Sequence, residues 1–306
     1  LPVQPGLDLC YNSGIGTSLP IKTFIALFYK HMGDNSMINE PYEAVDVQRI
    51  ERAFKNMTSH SYLKQYIEEA DIEYDIIFFM REILAGTDLT EDQKKEQILS
   101  ALFVQAAFAT HEKVENDRGS SPAEKKPKQL TVLAGDFFSS LYHTMLINNV
   151  HSTIIPVFSD AIQRINEEKM CLHFGENTSE DELMHRLALV EGCFFKNISA
   201  FYGKPELGSL AETFFLLKRL NREREYTEVK FLSAAAGAVH QFFEKELREK
   251  VKNWPPERTE KWLSDKISHL KKELYQQLHT FSFQQDSALY DRLLSWTAFQ
   301  DEAEIK

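Results

Sequence analysis

Cysteine is scarce in this chain. Cys10, Cys171 and Cys193 are the three in 306 residues, an odd number and widely spread, which excludes a disulfide framework and a paired-cysteine metal knuckle and points to a reducing compartment. Glycine (12) and proline (10) are few as well, and long stretches hold neither. That disfavours short strands joined by tight turns and favours helices. Near the start the longest apolar stretch, residues 19–29, is only about a dozen residues, contains Lys22, and lacks a basic flank and a small-residue cleavage site. We therefore expect no signal peptide, no transmembrane segment and a cytoplasmic location. Positive charge is in deficit, with 35 Lys and Arg against 46 Asp and Glu and a net charge of -11, so nucleic acid is not the expected partner. Common catalytic devices are missing too. There is no Gly-x-Ser-x-Gly elbow, the run Ser13-Gly14-Ile15-Gly16-Thr17-Ser18 lacks a third glycine and a Lys-Ser/Thr pair, and Cys171, His173 and His185 fit no zinc spacing.

What the chain does have is a large apolar fraction, 43%, enough for a sizeable core, arranged with helical period. Leu130, Leu133, Ala134, Phe137, Leu141 and Met145 step by three and four, as do Leu183, Leu187, Val190, Phe194, Ile198 and Phe201. Leu263, Ile267, Leu270, Leu274, Leu278 and Phe281 repeat the pattern behind Pro255-Pro256-Glu257, a helix-start signal. Residues 1–44 concentrate Gly and Pro and read as a leader or appendage to one helical domain over 45–306; the start on Leu1 rather than Met implies a trimmed or mis-set beginning. The polar stretch Asn116 to Lys128, with two prolines, reads as a loop between two helices, and Asp136 as a residue near the start of the second, where the helix dipole favours a carboxylate.

Three segments in order carry a resemblance. The first is Ala109-Thr110-His111-Glu112-Lys113-Val114-Glu115-Asn116-Asp117, followed after the polar loop by Leu130-Thr131-Val132-Leu133-Ala134-Gly135-Asp136-Phe137-Phe138; the second is Leu187 to Gly203; the third is Phe214-Phe215-Leu216-Leu217-Lys218-Arg219-Leu220-Asn221-Arg222. Together they resemble the trans-type prenyl diphosphate synthases, and most closely the component-one subunits of two-component heptaprenyl diphosphate synthases. The resemblance runs best over 47–222, with a looser helical part over 230–306. In catalytic members two aspartate clusters on facing helices hold the magnesium ions that stabilise a departing diphosphate. Here Glu112, Lys113 and Asn116 stand at the first cluster and Lys218, Arg219 and Arg222 at the second, so six negative charges become a net +3. Gly192-Cys193 stands where the family has a substrate-binding Lys-Thr pair, with Lys196 one turn onward, and the family's Gly-Gly-Lys-Arg type run is absent.

The resemblance implies an all-α, isoprenoid-synthase-type antiparallel bundle around a central cavity. It implies a regulatory, non-catalytic subunit without catalytic or metal-ligating residues of its own, inactive in isolation. It would bind no cofactor and work in a hetero-oligomer with a catalytic component II that carries Mg2+. The complex would condense farnesyl diphosphate with isopentenyl diphosphate toward the menaquinone side chain. Prenyl diphosphates would then be met only through the complex. Lys218, Arg219 and Arg222 read either as an ordinary solvated or ion-paired face or as cations that replace metal, by pairing with Glu112 and Glu115 or by lightly binding a diphosphate. Leu133, Asp136, Phe137, Leu141 and Met145 are the interface or cavity residues the resemblance implies, beside the small Ser139 and Ser140; Phe103, Phe108, Phe137 and Phe138 read as core or as a wall for the growing chain. The competing class is a degenerate synthase fold that binds a prenyl lipid or scaffolds another protein.

Overall fold

The computed structural model describes residues 47–114, 122–148, 152–174, 179–229, 239, 256–281 and 287–297. The chain divides into two units, Leu1–Glu43 and Ala44–Lys306, and every described residue belongs to the second. The expectations for residues 1–44, for Glu115, Asn116 and Asp117, and for most of 230–255 fall outside the described residues.

Among the described residues there are nine α-helices and no strand. They are α1 (Val47–Thr58), α2 (Tyr74–Leu84), α3 (Glu91–Glu112), α4 (Pro122–Asn148), α5 (Ile155–Phe174), α6 (Glu180–Phe201), α7 (Pro205–Val229), α8 (Pro256–Thr280) and α9 (Ala288–Thr297). Their ends are set by local chemistry. Thr90 and Gln93 form a reciprocal capping box at the start of α3, and the Ser179 hydroxyl accepts from the Glu182 amide ahead of three acidic residues in the first turn of α6. Gly203, at φ +72°, stops α6. The Lys204 and Gly203 amides then close back on the Ser199 and Ala200 carbonyls, and Pro205 opens α7.

Side-chain pairs run antiparallel along α5 and α6 and along α6 and α7. Asp160 pairs with Asn197 and Glu168 with Arg186 along α5 and α6; Lys196 pairs with Glu212 and Glu191 with Arg219 along α6 and α7; Thr213 meets Gln277 between α7 and α8. Three glycines permit the closest approaches. A Cβ on Gly135 would lie 2.5 Å from the His111 ring on α3, one on Gly192 2.5 Å from Glu212 Cβ, and one on Gly208 2.3 Å from Ser199 Oγ.

The space between α2, α6 and α7 is packed with aromatic rings. Phe79 lies 5.6 Å from Phe195 and 5.7 Å from Phe214, and Phe195 stacks on Phe215 at 4.8 Å. Phe103 is fully buried and stacks on Phe54 at 5.5 Å, and Phe138 is buried as well; both are core. Phe108 and Phe137 are half-buried. The cleft of about 450 Å³ between the end of α1 and the segment 69–74 is lined by residues such as Lys55, Ser59, Asp71 and Tyr74 and by no motif residue.

Two local expectations are corrected. The stretch expected to be loop as far as Lys128 is helical from Pro122, with Pro127 inside α4. Pro122 occupies the first helical position, where its missing N–H costs nothing. Asp136 therefore sits in the middle of α4, beyond reach of the helix dipole, and its carboxylate lies 3.6 Å from His111 Nε2.

Candidate functional site

The first motif closes α3. Glu112 Oε1 accepts from Lys169 Nζ of α5 at 2.6 Å, and the same ammonium lies 4.1 Å from the Phe108 ring centroid. Burial pushes the Glu112 pKa up, but Lys169, with help from Arg219 and Arg222, outweighs it and holds the carboxyl below its ordinary value. Lys113 caps the helix C-terminus and turns away to Glu68 at 3.2 Å.

The second motif lies along α7 and faces two ways. Arg219, buried, donates from Nε and Nη2 to Glu223 at 2.9 and 2.8 Å and from Nη1 to Glu191 of α6 at 3.3 Å. Arg222 is more exposed, with 53% of its side chain accessible, and reaches Glu191 at 3.8 Å. Burial raises the Glu223 pKa to about 7 against the pull of Arg219; Arg219 itself is raised, its burial outweighed by Glu223, Glu191 and Glu112. Lys218 points to the other side of α7 and pairs with Glu73 at 2.9 Å and with Asp75 of α2. Asp75 also accepts from Arg292 of α9 at 2.7 Å. Its pKa is lowered, since Arg292 and Lys218 together overcome a large burial penalty.

Glu112 does share an electrostatic neighbourhood with Arg219 and Arg222, while its direct partner is Lys169 and Lys218 lies in a separate cluster. Lys169, Glu191, Glu73, Asp75 and Arg292 had no motif to mark them. Glu223 had one signal, its place one helical turn after Arg219 on the same face.

Around the two motifs Lys169, Arg219 and Arg222 are paired with Glu112, Glu191 and Glu223. This donor set does not fit magnesium. The carboxylates are already engaged by fixed cations, and among the described residues no group of three or more His, Cys, Asp or Glu is placed to hold a metal ion. Gly192 and Cys193 are buried where the resemblance placed a phosphate-binding pair. Glu212 presses against Gly192, and Lys196 is held by Glu212 at 2.7 Å.

The interface or cavity residues scatter by depth. Leu141 is core, Phe137 and Met145 are half-buried, and Leu133 and Asp136 are exposed. The inward stripe of α4 is Leu130, Ala134, Phe138 and Leu141.

Comparison with known proteins decides the family. The sequence model described as heptaprenyl diphosphate synthase (HEPPP synthase) subunit 1 matches residues 60–280. The chain belongs to this family. It is 27% identical over 143 residues to heptaprenyl diphosphate synthase component 1 of Geobacillus stearothermophilus, a match that takes in 47% of this chain and 63% of that relative, under two thirds of its length. The fold is that of isoprenoid synthases. Heptaprenyl diphosphate synthase from Staphylococcus aureus superposes with a TM-score of 0.55 at 11% identity, over 82% of this chain and 95% of that one. Octaprenyl pyrophosphate synthase from Helicobacter pylori gives 0.55 at 11% identity, over 82% and 97%. At these identities the likeness concerns the fold alone. The subunit 1 match continues through α8, beyond the 47–222 that carried the sequence resemblance.

Proposed function

We propose that this chain is the non-catalytic, regulatory subunit of a hetero-oligomeric heptaprenyl diphosphate synthase. In this reading a separate catalytic component holds the Mg2+ and condenses farnesyl diphosphate with isopentenyl diphosphate. The product serves as precursor of the menaquinone side chain, and the complex works in the cytoplasm. The observation that carries the reading is Arg219, one of the residues standing where catalytic relatives hold metal-binding aspartates. It is buried and bound to Glu191 and Glu223. A site neutralised by its own side chains keeps its helices together without metal or diphosphate, which suits a subunit that supports chemistry performed elsewhere.

The outer side of α4 and α5 supports the reading. Leu133 is 44% exposed, Ile147 57% and Phe174 70%, with Val132 and Met170 also exposed. By length and composition Lys125–Ile147 is apolar enough to cross a membrane. Yet Gly135 packs against His111, Leu130, Ala134, Phe138 and Leu141 are buried in the bundle, and Asp136 and His143 are exposed. α4 is thus a bundle helix with an uncovered apolar side, the kind of surface a protein partner covers.

The test is incorporation of labelled isopentenyl diphosphate from farnesyl diphosphate and magnesium by this chain, by a candidate catalytic component, and by their mixture. Long-chain product only from the mixture is the expected result. Full activity of the partner alone would remove the regulatory assignment and leave a lipid-binding or scaffold protein; turnover by this chain alone would overturn the account of its lost metal sites.

A further inference from the structure

Lys218 stands in the second motif but faces away from the Arg219 cluster, and the residues it meets form a second polar centre. Asp75, in the first turn of α2, is 1% exposed. Its carboxylate accepts from Lys218 of α7, and from Arg292 of α9 through Nε at 2.7 Å and Nη2 at 3.3 Å. Lys218 also serves Glu73, at 2.9 Å. Without the guanidinium but with α9 still docked, Glu73 and the buried Asp75 would share one ammonium, and an under-compensated buried carboxylate is costly. Arg292 supplies the missing charge.

The rest of α9 is placed to deliver that guanidinium. Leu289 and Leu293 are buried, Trp296 meets the edge of Phe214 on α7 at 5.6 Å, and Arg292 lies 5.7 Å from the Trp296 ring. Just before the helix, Ser287 contacts Glu82 near the other end of α2 at 3.4 Å. α9 therefore touches α2 along its length and α7 beside Lys218, although it lies beyond residues 60–280 that define the family match.

We propose that α9 is a clip: Arg292, seated on Asp75, locks α2 to α7 and fixes the second-motif helix in register. The clip couples two events, docking of a short terminal helix and charge compensation of a carboxylate belonging to another element. Its consequence for a catalytic partner rests on the subunit reading above; the clip itself does not.

Hydrogen exchange of the full chain tests it, comparing wild type with Arg292→Met, which keeps much of the side-chain stem and removes the charge. Amides of α9 and of α2 are expected to exchange about tenfold faster or more, with α5 and α6 unchanged. Arg292→Lys, which keeps the charge but loses the fork, should fall between. Wild-type protection of α9 and α2 in Arg292→Met overturns the clip, whatever the partner does. The same variants mixed with a catalytic component should then stimulate it less than wild type. A wild-type chain that gives no stimulation defeats the subunit reading and leaves the exchange result standing.

Discussion

At Gly192 a methyl group has nowhere to go: its Cβ would lie 2.5 Å from Glu212 Cβ and 2.9 Å from Glu212 Cα. Backbone cannot swing aside as a side-chain tip can, so Gly192→Ala must part α6 from α7. We expect a loss of about 1–3 kcal/mol, the usual cost of overpacking, read as a lower chemical-denaturation midpoint. Glu112 and Glu223 respond to pH in opposite senses. Glu112 is depressed below its ordinary 4.5, so its contribution is present above that value and is lost as pH falls through the folded pKa. Glu223 is raised from 4.5 to about 7. Between those values the folded chain holds a proton that the unfolded chain has released, so this term falls as pH rises. Melting against pH should show Glu223→Gln flattening the decline between about 4.5 and 7, and Glu112→Gln removing stability at neutral pH more than at pH 3. Equal shifts at every pH would refute both assignments.

Among the elements, α4 has two apolar sides with different fates. Leu130, Ala134, Phe138 and Leu141 face the bundle, whereas Val132, Leu133 and Ile147 are exposed. A charge at Leu133 therefore leaves the core untouched while spoiling the outer surface. Leu133→Glu is expected to melt like the parent chain and to bind the catalytic partner about tenfold more weakly or worse, measured by titration calorimetry. Lost folding would place Leu133 in the core after all, and unchanged affinity would move the interface elsewhere. The spacing of three and four announced this helix, but the stripe read from it mixed Leu133 with residues of the other side. Helical period says which residues share a face; it does not say which neighbour that face meets. The prolines misled because proline is tolerated in the first turn of a helix, where Pro122 proved to stand, while Pro127 lies further inside α4.

For the whole molecule, the all-helical class was legible without coordinates. Period and sparse glycine are local properties, and so is the identity of the residue at each motif position: Lys218, Arg219 and Arg222 cannot ligate a divalent cation in any fold. The described helices and the synthase-like fold agree with the all-helical class. Tertiary structure alone decided how the stranded charges are settled. Glu112 is answered by Lys169, 57 residues away, and Asp75 by Arg292, 217 residues away. Nothing in the spacing selects such partners, because a cation's range is a few ångströms in space and unrelated to distance along the chain. The aromatic cluster was hidden for the same reason: Phe79, Phe195, Phe214 and Phe215 come from three helices and meet only when those helices pack. A helix face is written locally, but which faces touch is settled by the packing of every element at once.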